Sequence, residues 1–158
     1  MLDRVAADSL TVRTHPDGFR RARDWVTRFA RVSGFPEDTA QHLALAVSEA
    51  CANAYRHAYA RSTVGRIDLT AEIDASGLRI TVRDFGTSFD PSTYRPPRVE
   101  DLPESGYGIQ LMRELADEVR HVNEGDGTRV VLFKRHPAIG AATYPMKRTV
   151  NREAREGS

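Results

Sequence analysis

The sequence predicts an α+β protein in which helices cover one face of a mostly antiparallel sheet. Three observations lead to this fold class. Two amphipathic helical stretches come first, two alternating strands joined by a short turn follow, and a third helix precedes another pair of strands. Because each of these elements has a single apolar face, a helical layer and a sheet can bury those faces against each other. The expected architecture is a two-layer α/β sandwich.

The first half of the chain supplies an edge strand and two helices. The segment SLTVR near residue 10 is expected to form a short edge strand. A helix is predicted between Asp17 and Val32, where apolar residues recur at helical spacing, and Gly34 ends it. Pro36 then opens the second helix, and two acidic residues in its first turn favour the helix dipole.

The second half supplies two hairpins and one helix. Apolar and polar residues alternate in VGRIDLTAEID and GLRITVRD, and the turn DASG joins these runs into a predicted hairpin. A loop with four prolines follows, and loops of this length are usually functional or disordered. Helical spacing resumes in GIQLMRELADEV, and VRHVNEGDGTRVVLFKR predicts a second hairpin. We expect one domain over residues 1–135 and a polar tail over residues 136–158.

Composition argues against several classes of protein. The 158 residues suffice for one domain with its own core, and 40% hydrophobic and 28% charged residues are ordinary values. A net charge of +1 does not favour a nucleic-acid-binding protein. The sequence has neither a signal peptide nor a run of about 18 apolar residues that could span a membrane. With Cys51 as the single cysteine, a reducing compartment is expected, and we predict a cytoplasmic protein.

The second helix carries polar residues opposite its apolar stripe. In LALAVSEACANAYRHAY, these polar residues fall on one face because positions four and seven apart are neighbours on a helix: Glu49, Asn53, Arg56 and His57. From this helix alone, a solvated face is the simpler interpretation. Asparagine is nevertheless a mediocre helix former, and alanine or lysine would be more favourable on a helix face that contacts only solvent.

Three further patterns suit a nucleotide. Asp84 ends a strand, so its carboxylate can accept a hydrogen bond from an exocyclic amine, while Gly86 lets a flat ring approach the backbone. The segment SGYG, residues 105–108, opens a helix whose free N–H groups and positive end suit phosphates. Thr128 begins a strand directly after a glycine. Each pattern is weak alone, because turns and ordinary strands contain the same residues.

The sequence lacks the motifs of several other nucleotide-binding and catalytic families. It contains no G-x-x-x-x-G-K-[ST] loop, and a dinucleotide fingerprint would need a small residue where Leu111 stands. No H-E-x-x-H motif or paired cysteines support a zinc site, and GTSFD is not the nucleophile elbow of a serine hydrolase.

In their order, the four patterns resemble the GHKL ATP-binding superfamily, and within it the anti-sigma-factor serine/threonine kinases, which are partner-switching regulators. LAVSEACANAYRHAY is similar to that family's first box, VRDFGTSFDP to its second and ESGYGIQLMRELADEV to its third. The resemblance extends over about residues 9–134. It implies the Bergerat, histidine-kinase-like ATPase fold. Ser88 replaces a glycine of the wider superfamily, and serine at this place is familiar among the anti-sigma kinases.

The resemblance also implies roles for the polar face of the second helix. Asn53 would hold Mg²⁺ through its amide oxygen, and Glu49 would take the proton from an incoming serine hydroxyl or from water. His57 would either reach the phosphates or satisfy a local hydrogen bond near the nucleotide, and Arg56 is expected to be a surface charge.

The remaining boxes would hold ATP itself. Asp84 would bind the adenine amino group, with Gly86 beneath the ring and Thr128 assisting through its hydroxyl or a water. Four consecutive residues would cradle the phosphates: Ser105, Gly106, Tyr107 and Gly108.

By resemblance, the protein is expected to be a Mg²⁺- and ATP-dependent serine/threonine kinase. It would phosphorylate a STAS-domain antagonist, sequester a sigma factor and form a homodimer, without direct contact to nucleic acid or a membrane. The presence of Glu49 favours this enzyme.

Two other functions fit parts of the pattern. The first is a sequestration module that needs ATP only for its shape or binds none. It is favoured by Glu104, which stands where an arginine could steady the γ-phosphate. In the kinase interpretation, Arg95 or Arg98 would substitute for that arginine. The second is the ATP-binding half of a sensor histidine kinase, which is disfavoured because few residues precede the domain.

Overall fold

A five-stranded antiparallel sheet forms one layer of the protein. The computed structural model describes residues 6–58, 64–86 and 107–136. Its strands are, in chain order, β1 (Ala6–Arg13), β2 (Arg66–Ile73), β3 (Gly77–Asp84), β4 (Glu118–Asn123) and β5 (Thr128–Arg135). Their spatial order is β1-β2-β3-β5-β4, and all four pairings are antiparallel. The predicted edge strand and both predicted hairpins are confirmed.

Within residues 6–58, 64–86 and 107–136, three α-helices form the second layer. They are α1 (Pro16–Val32), α2 (Glu37–Asn53) and α3 (Tyr107–Leu115). α1 begins at a proline, a residue suited to the first helical position because no intrahelical bond needs its N–H, and the His15 ring accepts a hydrogen bond from the Asp17 N–H. α2 has Pro36 at its N-cap and two acidic residues in its first turn, as the sequence predicted.

The core lies between the two layers because strand and helix periods place apolar side chains on facing surfaces. In β2, the residues of one face are at most 3% exposed: Ile67, Leu69, Ala71 and Ile73. Alternate residues of β3 continue that surface, and side chains of α1 and α2 such as Trp25, Leu43 and Val47 cover it. The predicted two-layer α+β sandwich with helices on one face is therefore confirmed.

The third helix is shorter than the periodicity predicted. α3 ends at Leu115, and residues 118 and 119 belong to β4 instead. The Asp117 N–H donates to the Phe133 carbonyl at 2.9 Å, and Val119 pairs with Leu132. Backbone pairing with β5 thus overrides a helical spacing that continues in the sequence.

His136, where the sequence placed the start of the tail, packs against the rest of the described structure. This residue is 2% exposed, its ring Nε2 lies 3.1 Å from the Ser33 carbonyl oxygen, and its ring packs against Phe35. The predicted tail beyond it and the proline-rich loop over residues 87–106 lie outside the described residues. Within the described ranges, no helix is long and apolar enough to cross a bilayer.

Candidate nucleotide-binding site

Glu49 and Asn53 lie side by side against the beginning of α3. Both are half-buried near the end of α2. A Cβ atom placed on Gly108 would stand 2.7 Å from Glu49 Oε1 and 3.4 Å from Asn53 Oδ1. Only a residue without a side chain leaves these two polar groups undisturbed. The structure therefore brings together three residues that the sequence assigned to two separate boxes.

The electrostatics of this place suit an anion beside a cation. Gly108 is the second residue of α3, so its N–H belongs to the first turn, whose N–H groups have no intrahelical acceptor and carry the positive end of the helix dipole. A carboxylate and an amide oxygen lie within contact distance of that turn. Oxygen ligands of this kind suit a hard divalent cation, and the helix start suits phosphate oxygens.

Arg56 takes part in this cluster, contrary to the expectation that it is a surface charge. The residue is half-buried, and its Nη2 donates a hydrogen bond of 2.7 Å to Asn53 Oδ1. The α-helical geometry ends at Asn53, and Ala54–Ala58 form a π-helical turn. π-turns are rare and often occur at functional sites. The sequence predicted one uninterrupted α-helix here, because its spacing contains no signal for such a turn.

Several predicted phosphate-binding residues can be placed only in part. Ser105 and Gly106 lie outside the described residues. Tyr107 is the first residue of α3, and His57 lies in the π-turn, but the described structure does not extend to the side chains of these two residues.

Asp84 forms the second part of the candidate site, at the end of β3. The residue is 7% exposed, and its Oδ1 accepts hydrogen bonds from the N–H groups of Gly86, at 3.2 Å, and Thr128, at 3.1 Å. Among the described residues, no donor contacts its Oδ2. The carboxylate is thus held through one oxygen while the other can accept a further hydrogen bond. The three residues that the sequence assigned to adenine do lie together.

The environment of Asp84 perturbs its ionisation. Burial raises the pKa of this carboxyl above its ordinary value, while the two backbone N–H groups and the charge of Arg83 act in the opposite direction. The ionised form therefore carries a desolvation cost that its hydrogen bonds only partly offset.

A close backbone approach joins the end of β3 to the turn between β4 and β5. Gly127 has φ +137°, and a Cβ atom there would lie 2.1 Å from the Asp84 carbonyl oxygen. Glycine is required both for the backbone conformation and for the space. This contact places Thr128, which is 3% exposed, directly beside Asp84.

Arg83 also joins these two segments, although no sequence pattern singled it out. Its Nη1 donates to the Asp84 carbonyl oxygen at 3.0 Å, and its Nη2 donates to Asp126 Oδ1 at 3.0 Å. The guanidinium carbon lies 4.4 Å from the centroid of the Phe85 ring. The sequence offers one signal in retrospect, an arginine directly before Asp84 and an aspartate directly before Gly127.

A known protein family matches most of this chain. The family described as the histidine kinase-like ATPase domain matches residues 12–134. This chain belongs to that ATP-using family, which is of the GHKL type. Its place within the family is among the anti-sigma factor serine kinases, as the following relatives indicate.

Two relatives are serine-protein kinases of Bacillus species. The chain is 37% identical over 109 residues to the serine-protein kinase RsbW of Bacillus subtilis (strain 168), covering 64% of this chain and 68% of the relative. The serine-protein kinase RsbW of Bacillus licheniformis is 38% identical over 109 residues, and this match also covers 64% of this chain and 68% of the relative.

A solved structure has the same fold. In the crystal structure of the RsbU and RsbW domains of Rv1364c from Mycobacterium tuberculosis, the match has a TM-score of 0.61 at 20% identity. It covers 83% of this chain and 33% of the other, so this chain spans about a third of that longer protein.

Proposed function

We propose that this protein is a Mg²⁺- and ATP-dependent serine/threonine kinase of a partner-switching system. The observation that carries the proposal is the convergence of Glu49, Asn53 and Gly108 at the first turn of α3. It places a carboxylate, an amide oxygen and a helix start together, and the two serine-protein kinases named above are 37% and 38% identical to this chain over 109 residues.

The phosphate end of the site would use the α2–α3 contact. The first turn of α3, with Ser105, Gly106, Tyr107 and Gly108, would receive the phosphate oxygens, and His57 would lie near them. Asn53 Oδ1 would be the protein's ligand to Mg²⁺, which when bound neutralises charge on the phosphates. The donor set fits this ion, because the groups facing Gly108 include a carboxylate and an amide oxygen.

Glu49 would act as general base. Its carboxylate would accept the proton of an incoming serine hydroxyl as the serine oxygen forms a bond to the γ-phosphorus. The bond from that phosphorus to the β–γ bridging oxygen breaks, and ADP leaves with the bonding electron pair. Few side chains suffice, because positioning and charge neutralisation account for most of the catalysis of phosphoryl transfer.

The base end of the site would use the β3 tip. Asp84 Oδ2, which has no donor among the described residues, would accept the exocyclic amine of adenine. Gly86 would leave room for the ring, and Thr128 would assist through its hydroxyl or a water.

The resemblance to anti-sigma factor kinases supports a biological setting for this activity. A STAS-domain antagonist would supply the serine, and a sigma factor would be the protein that the kinase sequesters. The protein would act as a cytoplasmic homodimer, without direct contact to nucleic acid or a membrane. Its kinase domain would comprise residues 1–135 together with His136, followed by a tail.

A sequestration module without catalysis is the second candidate, and one observation favours it. Asn53 Oδ1, the atom assigned to Mg²⁺, accepts a hydrogen bond from Arg56 in this structure. A protein that regulates by binding alone could keep this contact permanently.

Phosphoryl transfer separates the two candidates. The wild-type protein, incubated with Mg²⁺, γ-labelled ATP and a STAS-domain antagonist, should label a serine of that antagonist. Glu49→Gln should bind ATP with unchanged affinity but transfer no label, while Glu118→Gln, at an exposed position on β4, should behave as wild type. Equal labelling by Glu49→Gln would contradict the assigned base, and ATP binding without transfer by the wild type would favour sequestration.

A further inference from the structure

We propose that Arg83 is a specificity-determining positioning residue of the nucleotide site, which fixes the Asp84 carboxylate so that it accepts from adenine and rejects guanine. The inference rests on the proposed function, in which Asp84 contacts the base. Arg83 itself would not touch the nucleotide, because neighbouring residues of a strand point to opposite faces of the sheet. Asp84 is buried on the helix side, and Arg83 extends over the other face.

Arg83 connects the two backbone segments that form the base end. One nitrogen of its guanidinium holds the Asp84 carbonyl oxygen, and the other holds the Asp126 carboxylate in the turn between β4 and β5. The hydrogen bond from Arg83 is also the main reason that the pKa of Asp126 lies below its ordinary value. Planar guanidinium groups suit such paired contacts, whereas an ammonium group offers one point of charge.

The stacking on Phe85 orients this connection. The Phe85 ring lies under Arg83, at 4.4 Å from its guanidinium carbon, and Arg66 stacks on the same ring at 5.0 Å. The ring directly follows Asp84 in the chain, so the stack limits the directions in which the strand end can turn.

The connection determines what Asp84 presents to a base. Asp84 Oδ1 accepts one of its two backbone hydrogen bonds from Thr128, which begins the strand directly after that turn. If the turn moved away, Oδ1 would lose this donor, and the carboxylate would become free to rotate. A fixed Oδ2 is an acceptor that matches the 6-amino group of adenine and faces the 6-oxo acceptor of guanine with repulsion. Loss of Arg83 should therefore reduce discrimination between the bases.

The dissociation constants of ADP and GDP, measured by calorimetry in the presence of Mg²⁺, test the inference. Arg83→Ala should weaken ADP binding by up to about fivefold, because the lost contact is an ion pair with an exposed partner and acts on the nucleotide only through Asp84, and should change GDP binding less than twofold. Arg83→Lys should restore part of the ADP affinity. Asp126→Asn, at a site whose side chain is 73% exposed and cannot disturb the core, should reproduce part of the loss.

Arg79→Ala is the matched control. Arg79 lies on the same strand and the same face and also stacks on an aromatic ring, that of Phe133, at 5.3 Å. The Arg79→Ala variant should have the same ratio of ADP to GDP affinity as the wild type. A double variant carrying Arg83→Ala and Asp126→Asn should bind ADP no more weakly than Arg83→Ala, because both changes remove one connection.

The outcomes separate this inference from the function beneath it. An unchanged ADP-to-GDP ratio in Arg83→Ala, with only a lower melting temperature, would mean that Arg83 is merely structural and would overturn the inference alone. Fully additive losses in the double variant would do the same. A wild-type protein that binds no ADP would overturn the proposed function and this inference together.

Discussion

Gly108 and Glu49 pack so closely that a single methyl group would not fit between them. A Cβ atom on the glycine would stand 2.7 Å from the carboxylate oxygen Oε1. Because α3 carries the glycine and α2 carries the carboxylate, this contact brings the candidate base next to the candidate phosphate cradle.

Replacing Gly108 by alanine should impair catalysis without the stabilisation that the same change usually gives inside a helix. Alanine is favoured over glycine there by about 1 kcal/mol. The added methyl must instead displace Glu49, and a displacement of about 1 Å from productive geometry can cost about 100-fold in rate. Phosphoryl transfer and melting temperature check the prediction. Gln110→Ala, at an exposed position of α3, is the control and should change neither.

Replacing Asp84 by asparagine should separate binding from stability. Burial raises the pKa of this carboxyl above the ordinary value of 3.8, so the folded protein holds the proton more tightly than the unfolded chain. The contribution of Asp84 to stability therefore falls as pH rises from about 3.8 through the raised pKa. The neutral amide removes this cost. Without nucleotide, the melting temperature of the variant at pH 7 should equal or exceed that of the wild type.

The Asp84→Asn variant should also lose its affinity for ADP. Its amide oxygen can accept the two backbone hydrogen bonds, but an NH₂ group then replaces Oδ2 and faces the adenine amine, donor against donor. The increase in melting temperature caused by Mg²⁺ and ADP should disappear. If nucleotide still stabilised the variant fully, the base would have to be recognised elsewhere.

Replacing Gly127 by alanine should destabilise the protein more than the same change at Gly125. Both glycines have positive φ angles, +137° and +90°, and a backbone penalty of about 1–3 kcal/mol is expected at each. At Gly125, an added Cβ would meet nothing within 4 Å, whereas at Gly127 it would lie 2.1 Å from the Asp84 carbonyl oxygen. Denaturant unfolding of both variants isolates the cost of the close approach. Equal losses of stability would show that this approach is unimportant.

Cys51 should resist alkylation in the native protein. Burial raises the pKa of its thiol to about 12, so almost no reactive thiolate is present at pH 8. Iodoacetamide should label the protein quickly in denaturant and only at the rate of unfolding in its absence. Rapid labelling of native protein would indicate that the core beneath α2 opens easily.

The sequence predicted the structure best where the apolar residues of a strand or helix recur at a regular spacing. Alternation in β2 and β3 and helical spacing in α1 predicted those elements, because each buries one continuous face. The predicted end of α3 was wrong for a related reason: apolar residues at helical spacing continue past Leu115, but the backbone there pairs with β5. His136 was placed in the tail because its contacts are with Ser33 and Phe35, about a hundred positions away.

Within the site, motifs located the residues of the boxes but not those that support them. Asp84, Gly86 and Thr128 were predicted, and they do lie together. The contact between Arg83 and Asp126 joins residues 43 positions apart, and no local pattern encodes it. A helical spacing of 3.6 residues does not indicate the π-turn that follows Asn53 either. Arg56, which lies in this turn and contacts Asn53, was therefore predicted to be a surface charge.

The most direct test of the central claim is the melting temperature with and without Mg²⁺ and ADP, measured for the wild type, Asn53→Ala and Asp84→Asn. The claim is that the α2–α3 contact and the β3 tip bind two ends of one nucleotide. At about a hundred times the dissociation constant, ligand adds about 2.7 kcal/mol, which corresponds to an increase of about 5–10 °C for a domain of this size. The wild type should show this increase, and each variant should lose most of it. No increase in the wild type, or a full increase in either variant, would contradict the claim.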